Sequence, residues 1–256
     1  MTGVLSVEKN GSIADVTLNR PEQFNALNGE LRQALREMVS DMESDPAIRI
    51  VIIKGAGRGF CAGADLTDGG EYPVSDHIDR EYKPFLTGIA DGNKIYIAQV
   101  HGSAAGIGAA LAMNCDLVTL AESANIYMAF AAIALIPDGG NTQLLLQNMG
   151  YHRALEAVLE GEKISSGDCL KFGLVNKVFA DEELGDKTRA WAENLAKGAP
   201  LAQGAAKRLL RQVGRQSFAD AISTEGEEQN HLVLSDDCKI GIEAFFKKQK
   251  PEFLGK

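Results

Sequence analysis

The chain is short of the residues that cross-link or anchor a protein. It has four cysteines, one tryptophan and seven prolines in 256 residues. Cys61, Cys115, Cys169 and Cys238 are widely spaced and form no CxxC pair. That spacing argues against a disulfide framework or a thiolate metal site and fits reduced, buried thiols in a cytoplasmic protein. No apolar run is long enough to span a bilayer, and the opening Met1-Thr-Gly-Val-Leu5 lacks the basic and apolar regions of a secretory leader. Positive charge is also scarce: 26 Lys and Arg face 35 Asp and Glu, a net charge of −9. This balance argues against nucleic acid or an anionic membrane as a partner, while leaving room for a local basic pocket that meets a phosphate. The four histidines, His77, His101, His152 and His231, have no metal-ligand spacing and no serine or cysteine partner, so structural roles are expected for them and no metal. No Gly-x-Ser-x-Gly occurs, and no repeat or low-complexity segment is legible.

Glycine, by contrast, is plentiful, and two segments concentrate it: Arg58-Gly-Phe-Cys-Ala-Gly-Ala-Asp-Leu66 and His101-Gly-Ser-Ala-Ala-Gly-Ile-Gly108. Each follows an apolar run that reads as a strand, residues 50–54 and 95–100, and each leads toward a helix start. Such a junction leaves backbone N–H groups unpaired, with the positive end of a helix dipole behind them. Two donors aimed at one point can hold an oxygen that becomes negative during a reaction. Neither segment has the G-x-G-x-x-G spacing of a dinucleotide-binding turn. Glycines used only for tight turns remain the alternative for either segment alone.

The rest of the chain alternates strands and helices. Residues 4–7 and 13–18 flank Asn10-Gly11 as a hairpin. Residues 28–42 carry Leu31, Leu35, Met38, Val39 and Met42 at helical spacing, with Asn28 as N-cap. Residues 67–82 read as a loop passing into a helix. Strands are expected at 48–54, 95–100, 115–121, 124–128 and 174–179, and helices at 105–114, 139–148, 152–159 and 165–171. From residue 182 onward the pattern is helical, broken at Pro200, Gly214 and Ser235. This order predicts an α/β fold, a curled sheet with helices outside it, divided softly into a core at 1–199 and a helical region at 200–256.

The two glycine segments, in this order, resemble the oxyanion-hole signature of the crotonase (enoyl-CoA hydratase/isomerase) superfamily, and the resemblance covers nearly the whole chain. Asn19-Arg20-Pro21 and Asn25-Ala26-Leu27-Asn28 look like its early loop, and Cys115-Asp116-Leu117-Val118, Leu135-Ile136-Pro137-Asp138-Gly139-Gly140 and Gly173-Leu174-Val175 recur in family order. The resemblance implies a coenzyme A thioester whose carbonyl sits between the N–H groups of Ala64 and Ile107, with no other cofactor. Most relatives have glycine where Ile107 stands, so its branched side chain is expected to narrow the acyl pocket. Arg20, Phe24, Ala26, Ala62, Asp65, Leu66, Gly106 and Phe130 fall at substrate- or coenzyme-lining positions. Phe245 and Lys248, in the basic stretch 244–250, match residues that reach a neighbouring subunit's coenzyme A, which implies a trimer or a dimer of trimers.

The reacting side chains depart from the hydratase pattern. A family hydratase uses two glutamates; here Ala110 and Phe130 occupy their places, and neither can transfer a proton. Asp138 remains, at a position similar to the single acid of the Δ3,Δ2-enoyl-CoA isomerases, where it moves a proton from C2 to C4. Its bland alternative is an N-cap. An aspartate here also resembles the nucleophile of 4-chlorobenzoyl-CoA dehalogenases. Those pair it with tryptophan at the Phe130 position and an aromatic at Ala64, so this reading is remote. The expected activity is therefore an enoyl-CoA isomerase. The alternatives are a hydratase drawing an acid from residues 68–79 and a non-catalytic acyl-CoA-binding protein.

Overall fold

The computed structural model describes residues 3–68, 73–214 and 216–256. Strands β1 (Leu5–Asn10) and β2 (Ile13–Leu18) form the expected hairpin, with Asn10 opposite Ile13 and Gly11 at φ 61° in the turn. Helix α1 (Gly29–Ser44) starts where Asn28 Oδ1 accepts the Leu31 N–H at 3.0 Å, and its buried stripe includes Leu31, Leu35, Met38, Val39 and Met42. Strand β3 (Ile50–Gly55) enters the first glycine segment. Beyond residues 69–72 of the predicted loop, which lie outside the described residues, come helix α2 (Val74–His77), a π-helical turn at Ile78–Tyr82 and α3 (Lys83–Asp91). The middle of the chain supplies β4 (Ile95–Val100), β5 (Ser103–Ala105), α4 (Ile107–Asn114), β6 (Leu117–Ala121) and β7 (Asn125–Tyr127). It continues through α5 (Asn141–Met149), α6 (Tyr151–Glu160), β8 (Lys163–Ser165), α7 (Ser166–Lys171) and β9 (Lys177–Phe179). Helices α8 (Leu184–Leu195), α9 (Pro200–Val213), α10 (Phe218–Leu232) and α11 (Asp236–Lys247) end it, with breaks at the three places the sequence marked. No helix among the described residues is long and apolar enough to cross a membrane.

The main sheet has the order β1-β2-β3-β4-β6-β9, parallel throughout except for the opening hairpin. Its central strands are buried on both faces, as a parallel sheet between helices requires. Val51 and Ile53 join the large core under α1, α3 and α4, while Ile50 and Ile52 face Ala192 and Ala196 on the side of α8. A second sheet, β5-β7-β8, is built from three-residue strands. It corrects two expected helix starts. Ala105, expected to open a helix, ends β5, because residues 103–105 pair with β7 and Ala104 also with Cys61; and Ser165, likewise expected to open a helix, ends β8 against β7 and caps α7. Strands this short have no periodicity of their own; distant partners create them.

Helix α4 is buried along Ile107 to Met113, apolar all round and enclosed by sheet and helices. Its N-terminus therefore delivers the positive end of its dipole from the interior toward the loops. Helix α9 packs on α3 and β4, where the buried Lys207 reaches the carbonyls of Ile89 and Lys94 at 2.6 and 2.7 Å and Asp116 at 2.9 Å. Cys61, Cys115 and Cys169 are buried and Cys238 half-buried, all of them unpaired.

Candidate active site

The two glycine segments lie side by side. The Cys61 N–H donates to Ser103 O at 3.2 Å and the Ala105 N–H donates to Cys61 O at 2.9 Å, a parallel zipper between them. Packing is close enough that a Cβ on Gly63 would meet Ala105 O at 2.9 Å and Gly106 Cα at 3.6 Å, so only glycine allows the approach. The early loop closes the other flank. The Leu27 N–H donates to Gly63 O at 2.8 Å and the Ala62 N–H to Phe24 O at 2.9 Å. Asn25, wholly buried, donates from Nδ2 to both Ala56 O and Gly59 O at 2.9 Å.

This arrangement sets two backbone donors. In a planar trans peptide the C=O and N–H point in opposite directions. Holding Gly63 O from one side thus turns the Ala64 N–H to the other, and holding Gly106 O does the same for Ile107. Neither N–H meets a protein acceptor among the described residues. The second belongs to the first residue of α4, where dipole and free amides coincide.

Asp138 is brought to this point by the turn after Pro137. A Cβ on Gly139 would lie 2.9 Å from both Ala110 Cβ and Ile107 Cγ1, so the turn rests directly on the start of α4. Ile107 is 2% exposed, and its Cγ1 and Cδ1 lie against that turn. Asp138 Oδ1 is buried with no hydrogen-bond partner, and burial pushes the carboxyl above the ordinary carboxylate range, against a smaller opposing effect of its own N–H. Phe130 covers the neighbouring backbone, its Cζ 3.8 Å from where a Cβ on Gly106 would stand.

Tyr82, on the π-helical turn, went unnoticed in the sequence because its place depends on that turn. Buried, it accepts a long 3.4 Å contact from Arg32 Nη1, and burial pushes its phenol up to about 12, with the Asp138 charge among the lesser causes. The other predicted positions divide into groups. Arg20 pairs with Asp65 at 3.0 Å and also donates to Ala26 O, so both charges are committed inside the early loop. The Thr67 hydroxyl and Arg20 hold the Asp65 carboxyl below the usual range. Phe24 is half exposed with Arg58 4.7 Å over its ring, and Ala62 and Leu66 are exposed. Phe245 and Lys248 stand exposed at the end of α11, and within one chain no hydrogen bond or ring contact among the described residues joins them to the loops.

Of the acids in residues 68–79, from which a second proton-transfer group was expected, Glu71 lies outside the described residues and the three described ones have partners. Asp68 accepts the Gly29 N–H at 2.6 Å and pairs with Arg32 at 3.0 Å, Asp76 pairs with Arg80 at 3.8 Å, and Asp79 pairs with Lys83 at 3.0 Å. Among the described residues no cluster of His, Cys, Asp and Glu could hold a metal ion.

A family model described as enoyl-CoA hydratase/isomerase matches residues 8–256. The chain belongs to this family. It is similar to the 1,2-epoxyphenylacetyl-CoA isomerase of Escherichia coli (strain K12), 35% identical over 262 residues that cover all of both chains. The 2,3-dehydroadipyl-CoA hydratase of the same organism is 32% identical across 98% of this chain and 99% of its own. The enoyl-CoA hydratase structure from Bacillus anthracis superposes with a TM-score of 0.93 at 28% identity, covering 99% of this chain and 100% of the other. The crotonase fold and an acyl-CoA enzyme of the enoyl-CoA hydratase/isomerase type follow for this chain.

Proposed function

We propose that this enzyme is an isomerase of enoyl-CoA thioesters, acting through an enolate stabilised by the N–H groups of Ala64 and Ile107. Polarising the thioester carbonyl acidifies its α-carbon; Asp138 removes the C2 proton and returns it to C4, moving the double bond into conjugation. The step is redox-neutral and isobaric, and coenzyme A enters as part of the substrate. The observation that carries the reading is the buried, unpaired Oδ1 of Asp138 in the turn against α4; the family resemblance, which matches Ala110 and Phe130 to a hydratase's glutamates, supports it. A carboxylate deprived of partners is a stronger base than one in water, and its raised pKa suits proton transfer near neutrality.

Arg58, stacked on Phe24 at the mouth of the loops, is positioned to meet a phosphate of the coenzyme. Phe245 and Lys248 complete the coenzyme site of a neighbouring subunit in a trimer, with residues 200–256 as the assembling region. The exposed Phe218, Leu234, Ile242 and Phe246 give that region an apolar surface suited to a partner copy.

A hydratase is the second reading, since close relatives carry that name. One assay separates the two: purified protein with a 3-enoyl-CoA, followed by ultraviolet absorbance and mass. A conjugated, isobaric product supports isomerisation. An unchanged 3-enoyl-CoA, with a 2-enoyl-CoA gaining one water, overturns it.

A further inference from the structure

We infer that Asn141 is a positioning residue that aims the Ile107 N–H, an assignment that rests on the oxyanion reading above. Asn141 is the first residue of α5 and has no exposed surface. Its side chain does not cap its own helix. Nδ2 instead crosses to the loop before α4 and donates to Gly106 O at 2.9 Å. That carbonyl belongs to the peptide whose other end is the Ile107 N–H, so the bond fixes the plane in which the donor points. Gly106, at φ 54° and ψ −126°, holds a conformation open only to glycine, and its own N–H is anchored on Tyr127 O at 2.9 Å.

Two further features suit this role. The Gly106 carbonyl also accepts from Ala109 N at 3.1 Å and Ala110 N at 3.3 Å, and each donor to a peptide oxygen polarises the N–H at the other end of that peptide. The Asn141 N–H meanwhile donates to Asp138 O at 3.1 Å, so one residue ties the proton-shuttling turn to the oxyanion peptide. Its Oδ1 is buried without a partner, a cost that packing alone does not explain. A residue kept for shape would be served as well by leucine, whereas the amide is needed for its one donor bond.

The test reads the bond to the substrate directly. A saturated acyl-CoA carrying carbon-13 at the thioester carbonyl is bound to wild-type protein, Asn141→Ala and Asn141→Leu, and its carbonyl stretch is measured by infrared difference. Asn141→Leu keeps close to the volume of the side chain without any donor, which separates loss of the bond from loss of packing. Thermal melts confirm that the variants measured are folded. In wild type the stretch shifts down on binding; both variants are expected to lose about half of that shift, because one of two donors is misaimed. Turnover should fall about tenfold with KM changing less than twofold, a smaller loss than the hundred- to thousand-fold of deleting a donor outright. Variants that keep the full shift overturn the role of Asn141, whatever their turnover. A wild-type complex whose stretch does not move at all refutes the oxyanion reading itself, and the inference with it.

Discussion

Replacing Asp138 with asparagine should make the protein inactive and more stable at once. The carboxylate is held with one oxygen buried and unpaired, and burial raises its pKa above the value of the unfolded chain. A folded-state pKa above the unfolded one means that the folded protein binds this proton more tightly. Stability from that proton is fully present below the ordinary carboxylate range and is lost as pH rises through the raised pKa. At pH 8 the wild type bears the whole penalty, whereas the neutral amide bears little of it. An unpaired buried acceptor costs about 1–3 kcal/mol, and more when it is charged; with Asp138 only half buried, the charged oxygen is set about 1 kcal/mol above the amide oxygen that replaces it. About 1 kcal/mol in a chain of this length raises Tm by about 2–4 °C. The gain should shrink as pH falls through the raised pKa and be gone below the ordinary carboxylate range, where the carboxyl is protonated in folded and unfolded chains alike. Isomerase turnover of Asp138→Asn should fall about a hundred- to ten-thousand-fold, the range for a lost general base. Scanning calorimetry from pH 4 to 8, with the absorbance assay alongside, checks both halves. A variant less stable than wild type at pH 8, or one that retains a tenth of the activity, would refute the reasoning.

Other substitutions probe the supports. Gly139→Ala adds a Cβ 2.9 Å from Ala110 Cβ and Ile107 Cγ1 at a φ of 63°, so it should destabilise by about 1–3 kcal/mol in a denaturant melt and lower kcat by displacing Asp138. Arg32→Met removes a guanidinium that pairs with Asp68 and Glu81 and holds Leu27 O at 2.8 Å, next to the N–H that fixes Gly63. Because those carboxylates still reach water, the expected loss is about 2–3 kcal/mol, below the range for a fully buried pair, and kcat should drop as the Ala64 donor loosens. Lys248→Ala should raise KM for acyl-CoA several-fold with kcat unchanged, while sedimentation still reports a trimer. A monomeric wild type, or an unchanged KM, would sink the shared coenzyme site.

Much of the site was legible in order but not in arrangement. The glycine segments announced themselves because a strand running into glycines and then a helix leaves donors unpaired whatever the rest of the fold does. Asp138 was legible once Ala110 and Phe130 had removed the other acids. The contact of the Ile107 side chain with Gly139 joins residues distant in sequence and had no local signal. The partners of Arg20, Asp65 and Ala26 O, were equally hidden. Nothing in the local sequence distinguishes such an arginine from a solvated one.

The sequence by itself determined which helices and long strands form, since α1, α8 and β3 carry their periodicity or apolar runs within a few turns of chain. It also suggested the chemistry on offer: two backbone donors and the carboxylate of Asp138. Tertiary structure alone decided how these meet. The three-residue strands, the pinning of the early loop by Asn25, the place of Tyr82 on its π-helical turn and the reach of Asn141 to Gly106 O each depend on a partner far along the chain. Hydrogen bonds of that kind leave no period in a sequence, because the folding of everything between them is what brings their ends together.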